Sequence, residues 1–160
     1  MNTQAQPLPA GKKAPAFQSV TFSGDKVKLS DYLGQYIALY FYPRDNTPGC
    51  TNQACNLQGH LGELKKHDVQ VIGISPDGNA SHEKFATKYE LSFPLIADNE
   101  HKIIQKYGVW GEKKNYGKTY MGLHRTTFLI GPKGKIVHVF TKPKTKEHAE
   151  EILSKVNELR

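Results

Sequence analysis

Tyr36-Ile37-Ala38-Leu39-Tyr40-Phe41-Tyr42 is an unbroken apolar and aromatic run, and Pro43-Arg44-Asp45-Asn46-Thr47-Pro48-Gly49-Cys50 ends it at once. Too short for a long helix and without polar alternation, the run fits a strand buried on both faces. It is therefore read as the central strand of a sheet covered by helices. After the two prolines and the glycine, 51–67 reads as a helix with Leu57, Leu61 and Leu64 at helical spacing. In α/β sheets, a loop from a buried strand into a helix is where sites sit.

Outward from this stretch the pattern alternates. Upstream, 16–21 and 26–29 flank Phe22-Ser23-Gly24-Asp25, whose turn chemistry predicts a small N-terminal β-hairpin, and Ser30 and Asp31 suit a short helical turn. Residues 1–12, rich in Gln, Pro and Ala, are expected to form a loosely ordered arm. Downstream, 69–75 is a second strand, 81–90 a helix with Phe85 and Tyr89 on one face, and 93–97 a short strand. Asp98 can cap a helix bearing Ile103, Ile104 and Tyr107 that Gly108 ends. The polar segment 110–121 shows no period and is read as a long loop. Residues 125–130 and 135–141 are strands joined by Gly131-Pro132-Lys133-Gly134, and Thr145 can cap a closing helix striped with Ile152, Leu153, Val156 and Leu159. The sum is one α/β domain over 1–160, a mixed β-sheet flanked by helices, which resembles the thioredoxin-like fold.

Composition narrows the function classes. The chain has 160 residues, 38% hydrophobic and 23% charged, enough for a sizeable core. No stretch approaches the roughly 18 apolar residues of a membrane span, and the N-terminal segment lacks a secretory signal, so a soluble cytoplasmic protein without a membrane partner is expected. The net charge of +7 is scattered, with no basic helix interleaved with aromatics, so a nucleic-acid partner is not expected. Only two cysteines occur, Cys50 and Cys55, too few for a disulfide scaffold. A zinc site lacks further ligands at the right spacing, since His60 and His67 are too far apart for the usual pairs; neither metal nor cofactor is expected.

Cys50 carries the chemistry. Thr47 suits the N-cap and Pro48 the first helical position, so Cys50 falls in the first turn, where free N–H groups and the helix dipole favour a negative sulfur. An ordinary thiol with pKa about 8.5 is only ~3% ionised at pH 7, and raising that to ~90% requires roughly 3.4 kcal/mol of differential stabilisation. A helix end supplies about 2 kcal/mol at best. A cation is therefore expected beside the sulfur, with Arg44 and Arg125 as candidates.

The run from Phe41 to Cys55, with Pro43, Thr47, Gly49, Cys50 and Cys55 in place, resembles the active-site signature of peroxiredoxins, in particular the bacterioferritin comigratory protein or peroxiredoxin Q subgroup. The segments 71–77, 93–98, 107–110 and 125–130 resemble that subgroup in the same order. Gln53 and Gly131 depart from it, standing where Glu and Asp are common. The resemblance implies a thiol peroxidase acting on hydrogen peroxide and organic hydroperoxides. It implies that Cys50 is the peroxidatic nucleophile and that Thr47 and Arg125 contact thiolate and peroxide. It also implies that Pro43 shields a substrate pocket that includes Gly49.

On that basis Cys55 is the resolving residue. Five residues apart on a helix, the two Cα atoms would be roughly 8 to 9 Å apart. A disulfide needs them within about 7 Å, so the first helical turns must unwind locally. The expected cycle runs from a Cys50 sulfenic acid to an intramolecular disulfide that thioredoxin reduces, in a monomer. Two other readings stay open: a redox-switched binding protein, and a disulfide oxidoreductase, which the Cys-x4-Cys spacing disfavours. His124 is left outside the catalytic set.

Overall fold

The computed structural model describes residues 3–160; Met1 and Asn2 of the arm lie outside them. β1 (Gln18–Val20) and β2 (Lys26–Lys28) form the antiparallel hairpin, followed by a 3-10 turn at Leu29–Tyr32. Then come β3 (Tyr36–Phe41), α1 (Pro48–Gly59), α2 (Leu61–Lys66), β4 (Val69–Ser75), α3 (Asn79–Tyr89), β5 (Leu95–Ala97) and α4 (Lys102–Lys106). The C-terminal part holds β6 (Trp110–Asn115), β7 (Lys118–Leu123), β8 (Thr126–Ile130), β9 (Ile136–Phe140) and α5 (His148–Leu159).

The main sheet has five strands in the order β5-β4-β3-β8-β9. β3 lies in the centre, parallel to β4 and antiparallel to β8, as its continuous apolar run requires. Alternate side chains of β3 feed two cores. Ile37, Leu39 and Phe41 pack with Ile103, Ile104, Tyr107 and Phe128 on one face. Ala38, Tyr40 and Tyr42 pack on the other with Cys50, Ala54 and Leu57 of α1, Phe85 of α3 and Ile152 and Val156 of α5. The mixed sheet flanked by helices and the N-terminal strand pair are those of the thioredoxin-like fold.

Four local expectations need correction. The segment read as a loop over 110–121 is the β6/β7 hairpin, paired from Trp110↔Leu123 to Asn115↔Lys118. It turns at Tyr116 and Gly117, both with positive φ (50° and 77°), the geometry of a tight hairpin turn. Its outer strand is exposed, so backbone pairing holds it and no apolar alternation announces it. The helix expected over 51–67 starts at Pro48 and breaks at His60 (φ −108°, ψ 11°) into α1 and α2. The closing helix is capped at Glu147 rather than Thr145.

The arm, expected to be loose, is tied down from Thr3 onward. The N–H groups of Gln6 and Leu8 donate to Gly108 and Tyr107 carbonyls at 2.9 and 3.2 Å, and Gly11 N–H to the Ile136 carbonyl at 2.7 Å. Gly108 and Gly111 lack the Cβ atoms that would collide with Gln6 and Ala5.

Candidate active site

The register of the central strands builds the site. Phe41, the last residue of β3, faces Thr126, the first of β8, so Arg125 stands next to the loop that leads into α1. Thr47 occupies the N-cap with extended backbone (φ −96°, ψ 156°), and Pro48 follows at the first helical position. The helical ladder begins with Thr51 N–H donating to the Thr47 carbonyl at 2.8 Å. The Gly49 and Cys50 amides lie ahead of it, at the positive end of the helix. Cys50, Ala54 and Leu57 share the inward stripe of α1, which leaves Cys50 only 1% exposed.

Arg125 supplies the missing cation. One guanidinium nitrogen, Nη2, donates to Cys50 Sγ at 3.1 Å, while Nη1 donates to Gln53 Oε1 at 2.7 Å. Gln53 is three residues beyond Cys50, on the same helical face and fully buried, so the helix that carries the sulfur also grips the guanidinium. The amide at this position performs the gripping that a carboxylate could, without taking up positive charge.

Arg125 also explains Gly49. A Cβ added there would lie 3.1 Å from Arg125 Nη2, tighter than ordinary contact, with the guanidinium fixed on its other side by Gln53. Gly49→Ala is expected to slow reaction with peroxide about tenfold by displacing the fork, while far-UV circular dichroism stays native. A rate equal to that of the parent protein would show that Arg125 yields freely.

The Thr47 hydroxyl donates to the Arg44 carbonyl at 2.9 Å, and its oxygen accepts no capping bond from the helix, which leaves it free to accept one from a ligand. Pro43 is half-buried beside the loop, and the exposed Arg44 side chain is not the sulfur's partner. Cys55 is a free, exposed thiol on the same helix, one residue past the buried Ala54 and so turned off the inward stripe. Partial burial pushes the Cys55 thiol up from its ordinary value, which keeps it protonated near neutral pH. His124 donates its N–H to the Val109 carbonyl at 2.7 Å and its ring contacts the Glu112 carbonyl at 3.0 Å, a structural role.

The sequence profile of the AhpC/TSA family matches residues 10–139. The chain belongs to this family. It is 47% identical over 152 residues to peroxiredoxin Bcp of Escherichia coli (strain K12), covering 95% of this chain and 97% of that one. It is 44% identical over 149 residues to peroxiredoxin Bcp of Bacillus subtilis (strain 168), covering 93% and 95%. The solved Xanthomonas campestris bacterioferritin comigratory protein superposes with a TM-score of 0.84 at 31% identity, covering 93% of this chain and 98% of that one. This protein is thus a peroxiredoxin of the Bcp/Q subgroup, a thiol peroxidase.

Two residues of this peroxiredoxin's site are not announced by the sequence. Gln53 stands there as a departure from the subgroup, and only its three-residue spacing from Cys50 signals that it shares the sulfur's face. Lys113 lies on the β6/β7 hairpin, which lacks apolar alternation; its Nζ donates to the Leu123 carbonyl at 2.9 Å. Burial first, and then the Arg125 charge, hold the Lys113 ammonium below its ordinary value, while Cys50 opposes them.

Proposed function

We propose that this peroxiredoxin reduces hydrogen peroxide and organic hydroperoxides with Cys50 as nucleophile and Cys55 as resolving thiol, and that thioredoxin regenerates it. The carrying observation is the Arg125 Nη2 to Cys50 Sγ contact at 3.1 Å at a helix start. A cation and unpaired amides around a first-turn sulfur favour the thiolate, the nucleophilic form. The alkyl peroxide reduction named for the X. campestris relative supports the organic substrates.

In the first step the Cys50 thiolate attacks the terminal oxygen of the hydroperoxide. The S–O bond forms as the O–O bond breaks, and the leaving oxygen takes a proton from solvent, the equivalent of the one Cys50 released on ionising, and departs as water or alcohol. Arg125 stabilises the charge that moves from sulfur to oxygen, the Thr47 oxygen accepts the peroxide O–H, and Pro43 and Gly49 bound the approach. In the second step the Cys55 sulfur displaces hydroxide from the sulfenic acid, giving the disulfide and water. Both cysteines lie in α1, so their Cα atoms are about 8 to 9 Å apart in the folded helix and its first turns must open.

The pair lies within one helix, which supports a monomeric enzyme in one domain over 1–160. Among the described residues no helix is long and apolar enough to cross a membrane, in keeping with a cytoplasmic site of action.

A coupled assay with thioredoxin, thioredoxin reductase and NADPH tests the reading. Sustained NADPH oxidation with hydrogen peroxide and with cumene hydroperoxide is expected, together with an oxidised monomer lighter by two hydrogen atoms and a peptide map linking Cys50 to Cys55. Stoichiometric peroxide consumption without turnover would instead favour the redox-switched binding protein.

A further inference from the structure

We propose that His82, buried and hydrogen-bonded to Asp45, is a positioning residue of the peroxidase reaction: it clamps the loop before α1 so that the helix opens at Cys50 while the loop stays seated. The inference rests on the roles of Cys50 and Cys55 given above. His82 lies on α3, fully buried, and Asp45 in the active-site loop is 7% exposed. His82 Nε2 stands 3.1 Å from the Ile96 carbonyl, which can only accept, so this nitrogen carries a proton. Nδ1 stands 2.7 Å from Asp45 Oδ2, a contact that requires a proton between the two atoms and ties α3 to the active-site loop.

The groups bonded to this pair hold it from several sides. Asp45 Oδ1 accepts from the Tyr42 hydroxyl at 2.6 Å and Oδ2 from Ser81 at 2.8 Å. Asp77, the other nearby carboxylate, accepts from the Asp45 N–H at 2.8 Å and the Ser75 hydroxyl at 2.7 Å. Burial first, and then the negative charge of neighbouring groups, push the Tyr42 phenol well up, so it stays a donor. Ligand atoms of Asp45, Asp77 and His82 lie within 4.8 Å of one another, a spacing that could hold a metal, but each already has a hydrogen-bond partner. The bonds read as a clamp between α3 and the loop. α3 reinforces it where the Tyr89 hydroxyl donates to Asn46 Oδ1 at 3.1 Å.

The position of the clamp gives it a mechanistic consequence. Only Asn46, Thr47, Pro48 and Gly49 separate Asp45 from the sulfur. Disulfide formation requires the first turns of α1 to open, and the clamp is the fixed point at which opening stops on the N-terminal side. Before oxidation the same fixed point keeps Thr47 and the first-turn amides aimed at the peroxide.

Rapid-quench mass spectrometry separates the two steps by trapping the sulfenic acid and counting the disulfide. In His82→Leu, and in the double variant Asp45→Asn/His82→Leu, which removes both partners together, the peroxide step is expected to slow about tenfold or more. Disulfide closure, freed from the fixed point, is expected to quicken. A purely structural loss would slow both steps together or neither once the folded fraction is known, and either result in folded protein overturns the proposal. Nitrogen-15 NMR of the imidazole rings in the parent protein is an independent readout. A proton shared between His82 Nδ1 and Asp45 should give a strongly downfield resonance protected from solvent exchange, and its absence would overturn the clamp even if no variant folds. Cys50→Ser run in parallel distinguishes the failures: its retained activity would sink the cysteine assignment, whereas its inactivity beside unaffected His82 variants would sink the clamp alone.

Discussion

Cys50→Ser should consume no peroxide, and Cys55→Ser should consume one equivalent and stop. Serine cannot replace the nucleophile, because its hydroxyl is not ionised near neutral pH and its oxygen has no counterpart of the sulfenic acid. The Arg125 contact at 3.1 Å stabilises an anion on sulfur that serine does not form. Cys55→Ser leaves that contact and the first step intact but removes the thiol that closes the disulfide. Its Cys50 should accumulate as sulfenic acid and, under excess peroxide, pass on to sulfinic acid. Turnover with thioredoxin should collapse while the first equivalent disappears at the parental rate. Sustained turnover by Cys55→Ser would mean that thioredoxin attacks the sulfenic acid directly and that Cys55 is dispensable.

Arg125→Ala should cost about 30- to 1,000-fold in the rate of the peroxide step, the equivalent of losing one charge-assisted hydrogen bond and part of a close Coulomb attraction. The sulfur loses its cationic partner, and the charge that passes to the leaving oxygen loses its stabiliser. Arg125→Lys should recover only part of the loss. A single ammonium cannot donate to Cys50 Sγ and Gln53 Oε1 in the fork geometry that the guanidinium spans. An alanine variant that reacts within threefold of the parent would remove Arg125 from the chemistry.

Much of this was legible because covalent neighbours carry it. The uninterrupted run ending at Tyr42 placed the central strand, and the Thr47-Pro48-Gly49-Cys50 order placed the sulfur in a first helical turn without reference to the rest of the chain. Which arginine approaches the sulfur was not legible, because that depends on the pairing of Phe41 with Thr126, a register between strands far apart in the chain. His82 was equally hidden: on its own helix it is an unremarkable polar position, and its partner Asp45 lies 37 residues away. The β6/β7 hairpin escaped because an exposed strand held by backbone bonds has no reason to alternate.

The grip of Gln53 on Arg125 has a consequence for how the site responds to acid. Two ionisable groups that share a guanidinium would titrate as a pair, each feeling the other's proton, and the apparent constants would belong to neither. Here the second oxygen on the guanidinium belongs to an amide that neither gains nor loses a proton, at 2.7 Å. The counter-cation of Cys50 therefore presents constant charge across the working range of the enzyme. Neither the guanidinium nor the amide that grips it changes charge as the solution is acidified.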